Sequence, residues 1–426
     1  MLQDRPIPML DLIFSICDAT ELINPKINRH GKRVAYIALN IADALDLDSY
    51  KKYDIILAGL LHDIGAFSLK EKLEATQFEF ELSHKQKEIN KHGLLGFKLL
   101  NYFKPFLRIA LIVKYHHYKS HELEECCEDK EIAFASQIIH LADRVDVLIN
   151  NEKEILNQVK SIINTIEKYK LELFNDDLLD ILKDLAAKEY FWFDAISNPQ
   201  VNKFTRKLGQ MPLDFGLDKI TEFARMFSYI IDFRSPFTFT HSSGVTATAS
   251  SLAKLMGLSA RECEMMKVAG YLHDLGKLSV SAEILNKPSS LTDNEIRIIR
   301  GHSYHTYQIL DIITNLDVIN TWASFHHEKL DGSGYPFHLK GDQLSLGSRI
   351  MAVADNFTAI SEDRPYRKGL DRKSIIKILE NMSQDNKIDV NIVSMAKQYF
   401  DDIKLAGLEA ENKATIEYKE LGNFYL

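Results

Sequence analysis

The chain of 426 residues lacks three features that would each suggest a particular class of protein. It has no apolar run approaching the roughly 18 residues of a membrane span, and its N-terminus does not resemble a signal peptide. It has few cysteines, and none of them shows Cys-x-x-Cys spacing, which indicates reduced thiols of a cytosolic protein. The cysteines are Cys17, Cys126, Cys127 and Cys263. The sequence therefore predicts a cytoplasmic protein that does not cross a membrane.

The chain also lacks an excess of positive charge. Its 52 lysines and arginines are outnumbered by 60 acidic residues, which gives a net charge of −8 and a pI near 6.0. This balance argues against binding of a nucleic-acid polymer through a basic surface, although one local basic pocket is enough for a small anionic substrate. The length and a hydrophobic content of 46% are sufficient for at least two cores.

Histidines and aspartates recur in two sets that keep the same order and nearly the same spacing. His30 and His241 are 211 positions apart, and the other pairs are separated by 210 to 212 positions, such as His92 to His302 and Asp143 to Asp355. The first set is His30, His62, Asp63, His92, His116, His117 and Asp143, and the second is His241, His273, Asp274, His302, His326, His327 and Asp355. A duplicated domain with a metal pocket explains this register, because each ligand must return to one point in space.

Helical periodicity dominates the chain. The apolar positions of Met265–Leu272 predict a helix that ends at His273, and Ser259 with Glu262 forms a capping box at its start. The best strand candidate, a weak one, is Thr415–Lys419. We therefore expect an all-α fold.

Repeated segments outside the ligands place a domain boundary. Lys160–Ile163 recurs as Lys373–Ile376, and the turn-like stretch Ser197–Gln200 separates the two copies. We predict a first domain at residues 1–197, a second at 205–405 and a C-terminal tail at 406–426, which has no counterpart in the first repeat.

The second set carries the more complete chemistry. Asp274 can bridge two cations while the histidines hold each cation separately, which predicts a two-metal pocket for attack on a phosphodiester. Lys277 lies one helical turn after His273, where its positive charge can meet the phosphate. Nitrogen and oxygen ligands without thiolates favour Mn, Fe or Mg over a structural zinc.

The string His326–Pro336 is the most specific segment. Gly332 and Gly334 allow a tight turn, and Pro336 stiffens its exit. Asp331 is expected to anchor a neighbouring histidine or to cap a helix.

Residues 235–400 resemble the HD-GYP domain of the HD phosphohydrolase superfamily. The strings that carry the resemblance are Leu272–Lys277, Glu283–Pro288, His326–Pro336, Ala354–Asp355 and Arg364–Arg367. The resemblance implies two tandem HD-type helical bundles and hydrolysis of a cyclic dinucleotide, cyclic di-GMP or 3′,3′-cyclic GMP-AMP, by a hydroxide held between metals. It implies that the seven donors of the second set are metal ligands, that Asp274 and Lys277 are catalytic, and that Lys277, Arg364 and Arg367 bind the substrate.

Two departures from the family pattern matter. Some members place a glutamate for a third metal at the position of Phe237, so we expect two divalent ions, Fe or Mn before Mg or Ni. Thr306 stands where glycine is frequent, which is expected to alter packing near a metal or the substrate without abolishing the site. A homodimer, and a signalling protein bound at the Gly-Tyr-Pro loop, are further partners consistent with the resemblance.

The first repeat resembles the HD superfamily more loosely. It keeps the seven nominal ligands, which predict a second metal site, but Ala66 replaces the lysine and His121 and Glu122 replace Asp331 and Gly332. It is either a regulatory or dimerisation module, which we favour, or a hydrolase of other specificity. For the whole chain, the alternatives to a phosphodiesterase are a non-catalytic cyclic-dinucleotide receptor and an HD-type nucleotidase or (p)ppGpp hydrolase.

Overall fold

The computed structural model describes residues 7–21, 29–66, 86–169, 173–197, 204, 214–232, 240–362 and 368–422. The chain divides into two compact units, Ile16–Leu213 and a unit that combines Met1–Ser15 with Asp214–Leu426. The first fifteen residues, which we had assigned to the first domain, thus group with the second. One reason is a short antiparallel pairing of β1 (Ile7–Pro8) with β2 (Asp214–Phe215).

Helices make up nearly all of the regular structure, as expected for an all-α fold. Up to residue 197 they are α1 (Met9–Glu21), α2 (His30–Ala44), α3 (Ser49–Leu61), α4 (Gln86–Asn101), α5 (Leu107–Tyr115), α6 (Ser120–Cys126), α7 (Lys130–Val147), α8 (Val159–Lys168), α9 (Asp176–Ala186) and α10 (Glu189–Ile196). The helices α2, α3, α5 and α7 pack on one another and bury the stretch from Val34 to Ala42. This packing fixes the helix ends that carry the first set of histidines.

The second unit repeats this arrangement. Its helices are α11 (Leu217–Asp232), α12 (His241–Leu255), α13 (Ala260–Leu272), α14 (Ala282–Leu285), α15 (Asp293–Asp311), α16 (Asp317–Ser324), α17 (Leu346–Ser361), α18 (Arg372–Gln384), α19 (Val390–Gln398) and α20 (Phe400–Gly422). Short 3₁₀ turns lie at Lys104–Phe106, Leu275–Ser279 and Gly341–Gln343. The central helix α12 is covered by α13, α17 and α20.

The predicted helix starts are confirmed. Ser259 accepts a hydrogen bond from the Glu262 backbone, while the Glu262 carboxylate returns to the Ser259 backbone at 2.8 Å. The helix ends at Leu272, with His273 as its C-cap residue, so the metal-ligand pair follows directly from a helix end. Such ends leave backbone carbonyls free to accept side-chain hydrogen bonds.

The predicted strand at Thr415–Lys419 is wrong, because these residues belong to the last three turns of α20. In this helix Ala414 is buried and Ile416 is exposed. Glu417 is held by Arg225 at 2.5 Å and by Tyr229. The described part of the predicted tail, residues 406–422, therefore makes up most of α20, which packs within the second unit. No helix in the described part of the chain is both long and apolar enough to span a membrane.

Candidate metal centres and active site

The second set of donors converges because most of them sit at helix ends. His241 begins α12, His273 and Asp274 follow α13, and His326 and His327 follow α16, whereas His302 and Asp355 lie within α15 and α17. Three of the histidines are fixed by a carbonyl three residues earlier: Nδ1 lies 2.7 Å from Gly270 O for His273, 2.5 Å from Ile299 O for His302 and 2.6 Å from Ala323 O for His326. Because a carbonyl oxygen can only accept a hydrogen bond, Nδ1 carries the proton. The lone pair of Nε2 is then available to bind a metal ion.

Asp274 lies between two groups of donors. Its Oδ2 is 3.3 Å from His273 Nε2 and 4.0 Å from His241 Nε2, while its Oδ1 is 3.4 Å from His302 Nε2. Ligand atoms of His302, His326 and His327 lie within 4.8 Å of one another, and so do those of His241, His273 and Asp355. One carboxylate with an oxygen toward each group is the arrangement that can bridge two cations.

His241 is held by two carboxylates. Its Nδ1 is 2.8 Å from Glu362 Oε1 and its Nε2 is 3.3 Å from Asp355 Oδ1. Burial alone would lower the pKa of His241, but the charges and hydrogen bonds of Glu362 and Asp355 raise it well above its usual range. A metal ion at Nε2 would therefore displace a proton.

The imidazoles of His302 and His327 are poised as neutral ligands. Burial lowers the pKa of His302 to about 3 and that of His327 to about 4, against the opposing charges of Asp274 and Asp355. Burial would raise the pKa of Asp274, but His273 and Lys277 hold it well below its usual range. Neutral imidazoles beside ionised carboxylates are the protonation states that a metal site requires.

The first set of donors forms a similar cluster in its own unit. Asp63 Oδ1 is 3.6 Å from His62 Nε2 and 3.4 Å from His92 Nε2, and its Oδ2 is 3.8 Å from His30 Nε2. His92, His116 and His117 again group within 4.8 Å. Asp143 Oδ1 lies 3.2 Å from His30 Nε2. The structure thus brings all seven predicted donors of each set together.

Family models and several known proteins match this chain. Models of the HD domain match residues 28–148 and 225–392. The chain is 31% identical to the 3′3′-cGAMP-specific phosphodiesterase 1 of Vibrio cholerae over 91% of each chain, and 25% identical to phosphodiesterase 3 of that organism over 88% and 90%. A cyclic di-GMP phosphodiesterase of Pseudomonas aeruginosa is 39% identical over 33% of this chain.

The chain belongs to the HD-GYP family. A crystal structure of a cyclic GMP-AMP-specific phosphodiesterase of V. cholerae shares the fold over 96% of this chain and 98% of that one, with a TM-score of 0.64 and 21% identity. HD domains depend on metal ions, and the two donor clusters are candidate sites for them in this chain. We call residues 214–422 the HD-GYP domain and residues 29–197 the N-terminal HD domain.

Lys277 of the HD-GYP domain reaches the carboxylate of Asp274. Its Nζ lies 2.5 Å from Asp274 Oδ2, and this charge raises its pKa despite burial. The backbone below it is tight, because a Cβ at Gly276 would overlap the carbonyl of His302. The Thr306 hydroxyl accepts from Gly276 N at 2.8 Å and donates to His273 O at 3.1 Å. Thr306 therefore ties the turn that follows His273 to α15.

The Gly-Tyr-Pro loop is organised by Glu328, which is buried and accepts from Phe337 N at 2.6 Å and from Leu339 N at 3.0 Å. A Cβ at Gly334 would lie 2.5 Å from Glu328 Cα, so the loop can pack only with glycine there. The Tyr335 ring lies 4.8 Å from the ring of His327. The loop thereby reaches one of the candidate metal ligands.

Asp331 does not play its predicted part. Its carboxylate accepts from Ser333 N at 2.8 Å and from the Ser333 hydroxyl at 3.0 Å, inside its own turn. It neither anchors a histidine nor caps a helix, because the turn gives its side chain a nearer partner.

The predicted substrate arginines, Arg364 and Arg367, and the departure at Phe237 lie outside the described residues. Described residues before and after the segment of Arg364 and Arg367 are hydrogen-bonded to each other, since Leu370 N donates to Ile360 O at 3.0 Å. On α20, Lys404 Nζ donates to Ser361 O at 3.0 Å.

The N-terminal HD domain differs around its donors. Ala66 is buried where the HD-GYP domain has Lys277, and α6 covers the positions of the glycine turn. His30 Nδ1 lies 2.7 Å from Asp146, which belongs to α7, the helix that also carries Asp143. In the HD-GYP domain the corresponding partner, Glu362, follows the end of its helix. Arg144 donates to Asp143 Oδ2 at 2.5 Å.

Sequence reasoning missed Glu328, Glu362 and Asp146. Glu328 follows two histidines directly, so its position in the string was a usable signal. Glu362 and Asp146 occupy different positions in the two repeats, so no shared spacing marks them.

Proposed function

We propose that the HD-GYP domain hydrolyses a cyclic dinucleotide to the linear dinucleotide, with 3′,3′-cyclic GMP-AMP as the preferred substrate. The observation that carries the activity is Asp274, whose two oxygens face separate histidine groups and whose neighbour Lys277 supplies a cation for a phosphate. The substrate preference is supported by the relatives: those that match both domains are named for cyclic GMP-AMP, whereas the one from P. aeruginosa named for cyclic di-GMP matches a third of the chain.

We infer two divalent ions per HD-GYP domain, Fe or Mn before Mg or Ni. His241, His273 and Asp355 would hold one, His302, His326 and His327 the other, and Asp274 would bridge them. The absence of thiolates from this donor set supports these metals over a structural zinc. When bound, the ions supply positive charge for the phosphate oxygens and lower the pKa of water.

The residues of the chain itself would prepare the substrate. The Lys277 side chain is about one-quarter exposed, so its ammonium group can leave Asp274 for a phosphate oxygen without unfolding the turn that carries it. Arg364 and Arg367 remain candidate phosphate or base contacts, since their segment follows Glu362 directly. The carbonyl-bound Nδ1 atoms would keep His273, His302 and His326 in their ligand orientation through the reaction.

We propose a regulatory or dimerisation role for the N-terminal HD domain. Its donors are placed to bind metal, but Ala66 offers no cation for a phosphate and α6 replaces the glycine turn. Metal binding without hydrolysis is the behaviour that these residues support.

In the deciding assay, the purified chain is loaded with Mn²⁺ or Fe²⁺ and given cyclic GMP-AMP and cyclic di-GMP in parallel. The number of metal ions per chain is measured in the same samples. We expect linear product from both, faster from cyclic GMP-AMP, and none from Asp274→Ala, which should keep its helical circular dichroism. Asp402→Ala, an exposed acid in the same domain, serves as the control. Binding without turnover under either metal would instead indicate a receptor, and faster turnover of mononucleotides or (p)ppGpp would indicate a nucleotidase.

A further inference from the structure

The N-terminal HD domain contains a basic cavity that no proposed activity uses. It has a volume of about 410 Å³ and lies beside the start of α2. Its walls include the cations Arg29, Arg33 and Lys153 and the amides of Asn150 and Asn151. Among the described residues that line it, none is acidic. Three cations around one cavity contrast with the net charge of −8 of the whole chain.

The cavity occupies an informative place in the repeat. Residues 149–155 follow Asp143 as residues 361–367 follow Asp355, so Lys153 lies on the segment equivalent to the one that carries Arg364 and Arg367. In the N-terminal HD domain, Lys153 thus occupies a different position of this segment, and Arg29 and Arg33 lie at the start of α2.

The walls of the cavity are preorganised. Gln158 closes the segment by accepting from Asn150 N at 2.9 Å and by donating to Asn150 O at 3.0 Å and to Lys153 O at 3.1 Å. Arg29 holds φ at 70°, in the left-handed region that arginine seldom adopts. The acid Glu154 accepts from Asn157 N at 3.0 Å and lines a neighbouring cavity, which shares Asn150 and Lys153 with the basic one.

We propose that this cavity binds the phosphate group of a nucleotide. A guanidinium fork and a lysine point charge together match phosphate oxygens, and the two asparagine amides can meet hydroxyl or base atoms. The volume falls within the roughly 300–1,000 Å³ typical of small-molecule sites. A mononucleotide or the linear dinucleotide product both carry this chemistry.

The site is linked to the metal cluster of its own domain. Arg33 donates from Nε to Asp146 Oδ1 at 2.5 Å and from Nη2 to Oδ2 at 2.9 Å. Asp146 Oδ2 in turn holds His30 Nδ1 at 2.7 Å. A phosphate beside Arg33 shares this guanidinium with Asp146, so nucleotide binding and metal binding at His30 must alter each other's affinity reciprocally.

Calorimetry on the full-length, Mn²⁺-loaded chain tests the site. The chain carries Asp274→Ala, so that no probe is hydrolysed, and is titrated with 5′-GMP, linear GMP-AMP dinucleotide and inorganic phosphate. We expect Arg29→Gly and Lys153→Ala each to weaken nucleotide binding about tenfold, the effect of losing one charged contact. Arg29→Gly suits the positive φ, so it should not harm the fold.

Lys160→Ala is the matched control, since it removes the same charge from an exposed lysine outside the cavity. Nucleotide affinity that stays unchanged in both cavity variants would overturn the proposal, as would inorganic phosphate binding as tightly as 5′-GMP. Saturating 5′-GMP should also shift the Mn²⁺ affinity of the N-terminal domain, and no shift would refute the link through Arg33. Without Asp274→Ala, both variants should hydrolyse substrate at the normal rate, so failure here is distinct from failure of the hydrolytic assignment.

Discussion

Replacing Glu362 by glutamine tests how the HD-GYP domain prepares its first ligand. The carboxylate accepts from His241 Nδ1 at 2.8 Å, and both side chains are buried. Glutamine keeps the shape and an acceptor oxygen but removes the negative charge. If the variant binds metal more weakly, the cause is therefore the lost negative charge and not a packing defect.

The magnitude follows from two opposed effects. Loss of a charged partner behind a ligand histidine costs about 10- to 100-fold in metal affinity, or about 1.4–2.7 kcal/mol. The raised pKa of His241 means that the metal-free protein binds a proton near neutral pH, which the cation must displace. Metal affinity should then rise about tenfold per pH unit until that pKa is reached. Glu362→Gln lowers the pKa, so its affinity should depend less on pH.

We therefore expect the gap between the parent chain and Glu362→Gln to be wider at pH 8 than at pH 6. The assay is chelator competition for Mn²⁺ at both pH values, in a chain with Asp63→Ala so that the N-terminal cluster adds no sites. Glu409→Gln, an exposed glutamate on α20, is the control. Equal affinities at pH 8, or parallel pH dependences, would refute the reasoning.

Three further changes test separate parts of the structure. Asp63→Ala alone should leave hydrolysis within about twofold if the N-terminal domain only regulates, and a loss as large as that of Asp274→Ala would assign it catalysis. Gly334→Ala places a methyl 2.5 Å from Glu328 Cα, so we expect hydrolysis to fall at least tenfold, with a stability cost of about 1–3 kcal/mol in urea unfolding. Glu417→Gln removes the charge partner of Arg225, and its partial exposure limits the expected destabilisation to about 1 kcal/mol; an unchanged urea midpoint would show that α20 is not held by this pair.

Local features of the fold were predictable because their causes lie within a few residues. The capping box at Ser259 and the helix end at His273 depend on hydrogen bonds between near neighbours, so the sequence specified both. The strand assigned to Thr415–Lys419 failed because alternation over five residues resembles one face of an amphipathic helix. Within this segment Glu417 contacts Arg225 and Tyr229, which lie nearly 200 positions earlier in the chain.

The amino-acid sequence by itself determined the donor types and their duplication. The constant separation between His30 and His241, and between the other pairs, could persist only if each set meets at one point, so spacing alone identified both clusters. Lys277 was equally visible, because one helical turn places it beside His273. The inference about Lys277 rests on helix periodicity, which acts over short distances along the chain, whereas the two clusters were identified from the register of the duplication.

Only the tertiary structure decided what surrounds the donors. Glu362 supports His241 from the position directly after α17, whereas Asp146 performs the same task for His30 from a different position in its repeat. Thr306 secures the turn below Lys277 from another helix. A partner behind a ligand needs only to reach one nitrogen atom, and residues from many positions can do so. Its identity therefore depends on packing in three dimensions and leaves no fixed spacing in the chain.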